Sequence, residues 1–302
     1  MQRPPRWIAV ALAAEAVVFA AIAVLLVDMG IHRRVAERDG VNRWGYRGPI
    51  ARRRQPREQR MVVVGGSAAF GPGTRLDETF PAYLERNLQQ RWRVGYRAIP
   101  VKIVNLAAVP DTAASFRQTL VDYEYLDYDI VCFYDAYNSL TVPLDERGWR
   151  ERSLVFRRTG YLPILPFLIA GEPPNGRPRP VALAPAAARA SLTPAAQSAC
   201  GPMWDEYCDA MRSAVAYVLD SGRTAIVVSP PLVSPAHADQ QRALASDLLA
   251  RFGSRTAFRY LNFGSLVDLR DRELSTDGMQ LTARGNDRIA DALTGPVLQV
   301  LR

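Results

Sequence analysis

Five short, strongly β-prone segments recur from residue 61 onward, each separated from the next by a stretch of helical periodicity, and this alternation restricts the fold more than any other feature. The segments are 61–65 (MVVVG), 101–105 (VKIVN), 129–134 (DIVCFY), 224–229 (TAIVVS) and 258–262 (FRYLN). They are β-branched or aromatic and nearly continuous in apolar character, the pattern of strands covered on both faces. Apolar residues return every three or four positions in 78–91, 112–123, 204–221, 236–251 and 282–301, as one face of a helix requires. Pro81 fits an early turn of the first of these. Repeated βαβ units with right-handed crossovers give a parallel sheet between two helical layers. The expected fold is therefore an α/β, three-layer αβα sandwich around a five-stranded parallel sheet.

A different pattern precedes it. Residues 7–27 form an apolar run of twenty-one residues in which Glu15 is the sole charge. At 1.5 Å per residue such a helix crosses a hydrocarbon core of about 30 Å. It is longer than the apolar part of a signal peptide, and the following Asp28-Met29-Gly30-Ile31-His32 offers no small-residue cleavage site. We read 1–28 as an uncleaved transmembrane signal anchor, the alternatives being a cleaved signal or a buried core helix. Arg3 and Arg6 before the run are balanced by Arg33, Arg34 and Arg38 after it, so flanking charge does not set the orientation.

The net charge of +8 is concentrated at this end. Residues 1–60 hold twelve Arg against five acids, so the remainder is nearly neutral. A basic run beside an apolar helix, without interleaved aromatics or a nucleic-acid motif, suits a membrane surface rather than a phosphate groove. Residues 29–60 are too polar to form a core and are expected to be a basic juxtamembrane linker, leaving 61–302 as one domain. Two His (His32, His237), three Cys (Cys132, Cys200, Cys208) and no Cys-x-x-Cys argue against a metal site, and no cofactor is implied. Cys200 and Cys208 can pair across a short loop in an oxidising compartment.

An insertion at about 141–203 interrupts the strand–helix rhythm. Its apolar patch, Tyr161 to Ala170, follows Arg157 and Arg158 and precedes a Pro/Ala-rich stretch. Ten residues with two prolines do not span a bilayer; the patch is either a loop packed on its own domain or an interfacial element touching the membrane.

In an open parallel sheet, ligands bind beyond the carboxyl ends of the strands. The first strand ends in Gly65-Gly66-Ser67-Ala68-Ala69-Phe70-Gly71, so a serine emerges from a tight glycine turn. The second ends in Asn105-Leu106-Ala107-Ala108-Val109-Pro110-Asp111, the third in Tyr134-Asp135-Ala136-Tyr137-Asn138-Ser139, and Thr276-Asp277-Gly278-Met279-Gln280-Leu281-Thr282 precedes the last helix. Tyr134, Asp135 and Tyr137 either line a sugar-binding cleft or pack.

In order and spacing these four blocks resemble the SGNH/GDSL hydrolase superfamily, from residue 61 to the C terminus. VVVGGSAAFG resembles its nucleophile block in the Gly-Gly-Ser form of membrane-anchored bacterial members, and Tyr46-Arg47-Gly48-Pro49 the lead-in of that subgroup. The resemblance implies a flavodoxin-like SGNH fold, a domain on the periplasmic or extracytoplasmic side, and a serine esterase acting on acyl or O-acetyl groups of a cell-envelope glycan or lipid. Ser67 would be the nucleophile, the Ser67 and Ala108 backbone N–H groups and the Asn138 side chain would hold the oxyanion, and Asp277 would orient the base.

Two departures stand out. The second block has no glycine, with Ala107, Ala108 or Pro110 near its place. Gln280 occupies the position of the family's catalytic histidine, and an amide does not accept and return a proton near neutral pH. Losing a triad histidine costs on the order of 10⁶ in kcat, against about 10²–10³ for one oxyanion donor. His237, after the fourth strand, is a replacement base or, in its default role, a capping or substrate-contact residue. The chain is therefore expected to be an esterase impaired by the loss of histidine, or a non-catalytic protein binding an acylated carbohydrate or partner, or an acyltransferase passing acyl-serine to a sugar hydroxyl.

Overall fold

The computed structural model describes residues 6–93, 100–109, 111–135, 137–141, 148–171 and 200–301. In chain order its elements are α1 (Arg6–Asp39), β1 (Gln59–Gly65), α2 (Ser67–Phe70), α3 (Phe80–Arg93), β2 (Val101–Asn105), α4 (Ala113–Asp122), β3 (Ile130–Tyr134), α5 (Asn138–Thr141), α6 (Trp149–Arg152), α7 (Leu154–Thr159), α8 (Leu165–Ile169), α9 (Asp205–Asp220), β4 (Thr224–Ser229), α10 (Pro235–Phe252), β5 (Phe258–Asn262) and α11 (Ala283–Val300). All five expected strands and the five long helices of the domain form, their ends within two residues of the sequence-based bounds.

The sheet is wholly parallel, in the order β2-β1-β3-β4-β5. Alternate residues of each strand serve opposite faces, as a two-residue repeat demands. Val62, Val64, Val131 and Phe133 meet α4, α9 and α10, whereas Met61, Val63, Ile130 and Cys132 meet α3 and α11. Phe80, Leu84 and Leu88 of α3 bury against the α11 side, where Ile289, Leu293 and Val297 are also fully buried. Each such side chain contributes roughly 1.5–3 kcal/mol by leaving water. The crossover from β1 to β2 runs one way along the sheet and that from β2 to β3 the other, so the strand order reverses at β1/β3. A crevice is expected there.

The segment before the domain differs from the expected polar linker. α1 continues beyond the apolar run to Asp39, and its apolar residues from Trp7 to Val27 are exposed apart from the half-buried Ile8. It is long and apolar enough to cross a membrane. Residues 40–58 are then packed onto the domain. Val41 and Tyr46 are buried, and Arg47 pairs through its backbone with Asn105 at the end of β2. Arg47 N–H donates to Asn105 O at 3.0 Å, covering an edge that would otherwise be open. The buried Arg47 guanidinium donates to the carbonyls of Phe70, Gly71 and Thr74, and Arg60 spans Glu58, Leu126 O and Arg52 O. The polar composition that suggested a tether instead supplies hydrogen bonds to backbone carbonyls of the domain, which an apolar segment could not.

Within the insertion, α6, α7 and α8 are short helices, and Trp149 stacks on Phe167 at 5.0 Å between ring centres. The Pro/Ala-rich stretch lies outside the described residues. Cys200 and Cys208 form a disulfide, and Cys132 is free and buried.

Candidate active site

Ser67 begins α2 directly beyond β1, and Tyr137 and Asn138 follow β3, so the neighbouring strands at the reversal of strand order deliver these groups to one point. Gly65 and Gly66 make the approach possible. A Cβ on Gly65 would strike the Tyr134 carbonyl, and one on Gly66 would strike the Asn138 amide and the Asp111 carbonyl. The Gly-Gly-Ser sequence is thus required by close backbone contact rather than by a left-handed turn.

Ser67 Oγ lies 2.7 Å from Asn138 Oδ1 and 2.9 Å from the Tyr137 hydroxyl. Asn138 Nδ2 donates to Val109 O at 2.5 Å and to Asp111 O at 2.9 Å. Flipping that amide would set its oxygen against two carbonyl oxygens, so the orientation is determined. Oδ1 only accepts, hence the single Ser67 proton points at Asn138 and the Tyr137 O–H donates to Ser67. The Gln280 Nε2–H group in turn donates to the Tyr137 oxygen. A continuous relay results: Gln280 to Tyr137, Tyr137 to Ser67, Ser67 to Asn138, Asn138 to the β2–α4 loop. All four side chains are buried, Ser67 to 1% exposure.

Among the described residues, the side chains hydrogen-bonded to Ser67 are a phenol and an amide. An amide oxygen takes up no proton near neutral pH. Burial pushes the Tyr137 phenol up to about 12, assisted by the negative charge of Asp277 and opposed by the bond it accepts from Gln280. At neutral pH the phenol is therefore a donor and not a base.

The structure brings Ser67, Asn138 and Gln280 together, and it engages the expected oxyanion donors Asn138 and Ala108 elsewhere. Asn138 does not aim its N–H groups at an oxyanion position, because both serve backbone carbonyls. Ala108 N–H donates to Gly65 O at 3.2 Å and is likewise engaged. The Ser67 N–H, in the first turn of α2, belongs to the donors that a helix leaves without an internal acceptor. His237, expected as a replacement base or a capping or contact residue, makes no hydrogen bond to Ser67 among the described residues. It is fully buried in the first turn of α10, its Nδ1 accepts from Val233 N at 3.3 Å, and Nε2 has no partner among the described residues. Burial lowers its pKa to about 4. Its backbone N–H donates to the Ser234 hydroxyl that caps α10, the default capping-segment role.

Asp277 is exposed, and its Oδ1 accepts from the Met279 and Gln280 N–H groups at 2.9 and 2.7 Å. It therefore shapes the turn that presents Gln280. The cap of α11 is Thr282, whose hydroxyl accepts from Gly285 N. Gln280 Oε1 is buried with no partner among the described residues. The family resemblance offered Pro110 as one occupant of the second-block glycine position; it lies outside the described residues.

Three participants were not assigned from sequence. Tyr137, which the sequence offers as cleft lining or packing, faces Ser67 beside Asn138. Arg150 forms a buried ion pair with Asp111 and donates to Leu106 O at 2.8 Å, bracing the β2–α4 loop that Asn138 grips. Burial raises the Asp111 carboxyl to about 6 against the pull of Arg150. Arg47 pins the C-terminal end of α2. A recess lined by Phe70, Ala107, Ala108, Asp111 and Arg150 adjoins this loop without including Ser67. Among the described residues no group of three or more His, Cys, Asp or Glu is placed to hold a metal ion.

No protein family matches the sequence, and no curated protein does. Solved structures similar to this one include a psychrotrophic esterase from a Pseudoalteromonas species, with 11% identity, 80% of this chain and 98% of that chain covered, and a TM-score of 0.47. A family 3 carbohydrate esterase of Clostridium thermocellum gives 11% identity, 81% and 98% coverage, and a TM-score of 0.46. A member of the lipolytic protein G-D-S-L family from Veillonella parvula gives 7% identity, 80% and 97% coverage, and a TM-score of 0.46.

Proposed function

We propose that this chain is a membrane-anchored serine ester hydrolase of the SGNH type with low turnover, its substrate an acyl or O-acetyl ester of a cell-envelope glycan or lipid. The observation that carries this reading is the relay itself: a buried serine at the β1/β3 crevice, bonded to Tyr137 and Asn138, with Gln280 behind them. Ser67 Oγ attacks the acyl carbonyl, the alcohol departs with the serine proton, and water then releases the acyl group from Ser67. Among the described residues hydrogen-bonded to Ser67, none stores the proton between these events, so each step carries most of its uncatalysed barrier. The missing base is the larger deficit, since a triad histidine is worth on the order of 10⁶ and one oxyanion donor about 10²–10³.

The engaged Ala108 and Asn138 donors and the burial of Ser67 favour one second reading, a protein that binds an acylated glycan without hydrolysing it. A domain on the extracytoplasmic side is supported by the Cys200–Cys208 disulfide, a bond that persists in oxidising compartments. The test is p-nitrophenyl acetate hydrolysis by the full chain in detergent, compared with Ser67→Ala. A slow wild-type rate abolished by the substitution supports the hydrolase. Equal rates together with saturable binding of an acetylated oligosaccharide support the second reading, and robust turnover insensitive to Ser67→Ala overturns both.

A further inference from the structure

α1 is joined to the domain by more than the chain that follows it. Asp28, the first residue after the apolar run, is buried, and its carboxylate accepts from the Tyr161 hydroxyl and from the N–H groups of Ile164 and Leu165 at 2.8 and 2.6 Å. One turn later, His32 donates from Nε2 to Leu162 O. Burial lowers the pKa of this imidazole, against the raising effect of the Leu162 carbonyl and Asp28. The segment 161–165 is therefore clamped to the level of α1 at which its apolar surface ends, and α8 begins at that clamp.

Levels along the helix follow from its rise. Twenty-one apolar residues span about 31 Å, matching a hydrocarbon core of about 30 Å, so Asp28 lies at the boundary with the headgroups. From Leu165 to Ile169 the axis of α8 advances only about 6 Å, comparable with the thickness of one headgroup layer. Phe167 is buried beneath Trp149, whereas Leu168 is 38% and Ile169 78% exposed. On the adjoining α7, Leu154 and Val155 are also exposed, beside the exposed Arg157 and Arg158. Apolar side chains next to cations suit a surface of acyl chains beneath anionic headgroups.

The clamp also fixes which end of the domain faces this surface. Leu162 N donates to Arg43 O, Arg47 binds the Phe70 and Gly71 carbonyls, and Arg47 pairs with Asn105. These contacts lie at the carboxyl edge of the sheet, where Ser67 sits.

We propose that α7 and α8 form a docking surface for the headgroup layer of the bilayer, continuous with α1, and that docking holds the Ser67 edge of the sheet toward the membrane. The inference rests on α1 crossing the membrane, as in the proposed function. A substrate would then be met at the membrane surface, as a lipid ester or an ester on a membrane-proximal glycan.

The full chain, reconstituted in vesicles of phosphatidylcholine and phosphatidylglycerol, tests this. An environment-sensitive fluorophore is placed at Ile169→Cys, at Val17→Cys midway along the apolar run, and at Ser254→Cys, which is exposed before β5 on the opposite edge of the sheet. The native thiols do not compete in the absence of reductant, Cys132 being buried and the other two joined. Quenching by doxyl lipids labelled near the headgroup is expected at Ile169 to within about twofold of that given at Val17 by deep-labelled lipids, with none at Ser254. Asp28→Ala is expected to reduce the Ile169 signal and leave Val17 unchanged. Quenching at Val17 with Ile169 no more quenched than Ser254 overturns the docking surface alone. Absence of quenching at Val17 overturns the membrane span, and the docking surface with it.

Discussion

Replacing Gln280 by histidine puts an ionisable group where the structure has an amide. Gln280 Nε2 reaches the Tyr137 oxygen, and Tyr137 OH is 2.9 Å from Ser67 Oγ, so an imidazole at this position stands one phenol away from the nucleophile. A positioned general base is worth about 10²–10⁴ in rate, roughly 3–5 kcal/mol of barrier. The gain falls short of the ~10⁶ of an intact triad, because the serine proton must pass by way of a phenol held at about 12. We expect Gln280→His to raise kcat/KM for p-nitrophenyl acetate by about 10². The pH–rate profile should rise through about 6.5 as the imidazole loses its proton and flatten above it. Adding Ser67→Ala should abolish the gain. A folded Gln280→His protein with an unchanged rate, or a gain that survives Ser67→Ala, refutes the reasoning.

Further outcomes follow from buried polar groups. Arg150→Met strands Asp111 without its cation and should cost about 3–5 kcal/mol in urea unfolding at pH 8, less at pH 5 where the raised Asp111 carboxyl is largely protonated. Asp135 is buried with a carboxyl pushed up to about 7, so its native form holds the proton more tightly than the unfolded chain. The resulting penalty is absent below about pH 4 and grows until about pH 7, and Asp135→Asn should remove that part of the stability loss, on the order of a few kcal/mol, when unfolding is compared at pH 4.5 and 8. Arg47→Met leaves the Phe70, Gly71 and Thr74 carbonyls without their donor and should destabilise by several kcal/mol, with protease sensitivity rising around α2. Changing Cys200 and Cys208 together to serine opens a short loop and should lower stability by about 2–3 kcal/mol in thermal unfolding; no change would place the disulfide outside the folded core's energetics.

The sheet and its helices were legible because their signals are local. A buried strand such as 224–229 declares itself by β-branched content, and α9 by apolar residues at three- and four-residue spacing. The glycine corner carrying Ser67 and the asparagine after β3 were legible for the same reason: each ends an element whose direction the fold fixes. The features without a local signal depend on partners distant in sequence. Asp28 meets residues more than 130 positions away, and Arg47 meets α2 more than 20 positions away, so nothing in their own neighbourhoods distinguishes them from solvated charges. Tyr137 is a similar case. A tyrosine beside a strand end usually packs, and only the assembled sheet shows its hydroxyl interposed between Ser67 and Gln280. The orientation of the Asn138 amide was equally beyond sequence, since it is set by the carbonyls of Val109 and Asp111.

The central claim is that Ser67 faces a phenol and an amide in place of a base, with Gln280 behind the phenol, and the pH dependence of its own reactivity measures this directly. The rate of Ser67 modification by a fluorophosphonate, followed in the wild-type protein from pH 5 to 10, should be slow and climb about tenfold per pH unit without a plateau, because Tyr137, the titrating group hydrogen-bonded to Ser67 among the described residues, changes charge only at about 12. A plateau with a midpoint between pH 6 and 8 would mean that a base does serve the serine and would contradict the account.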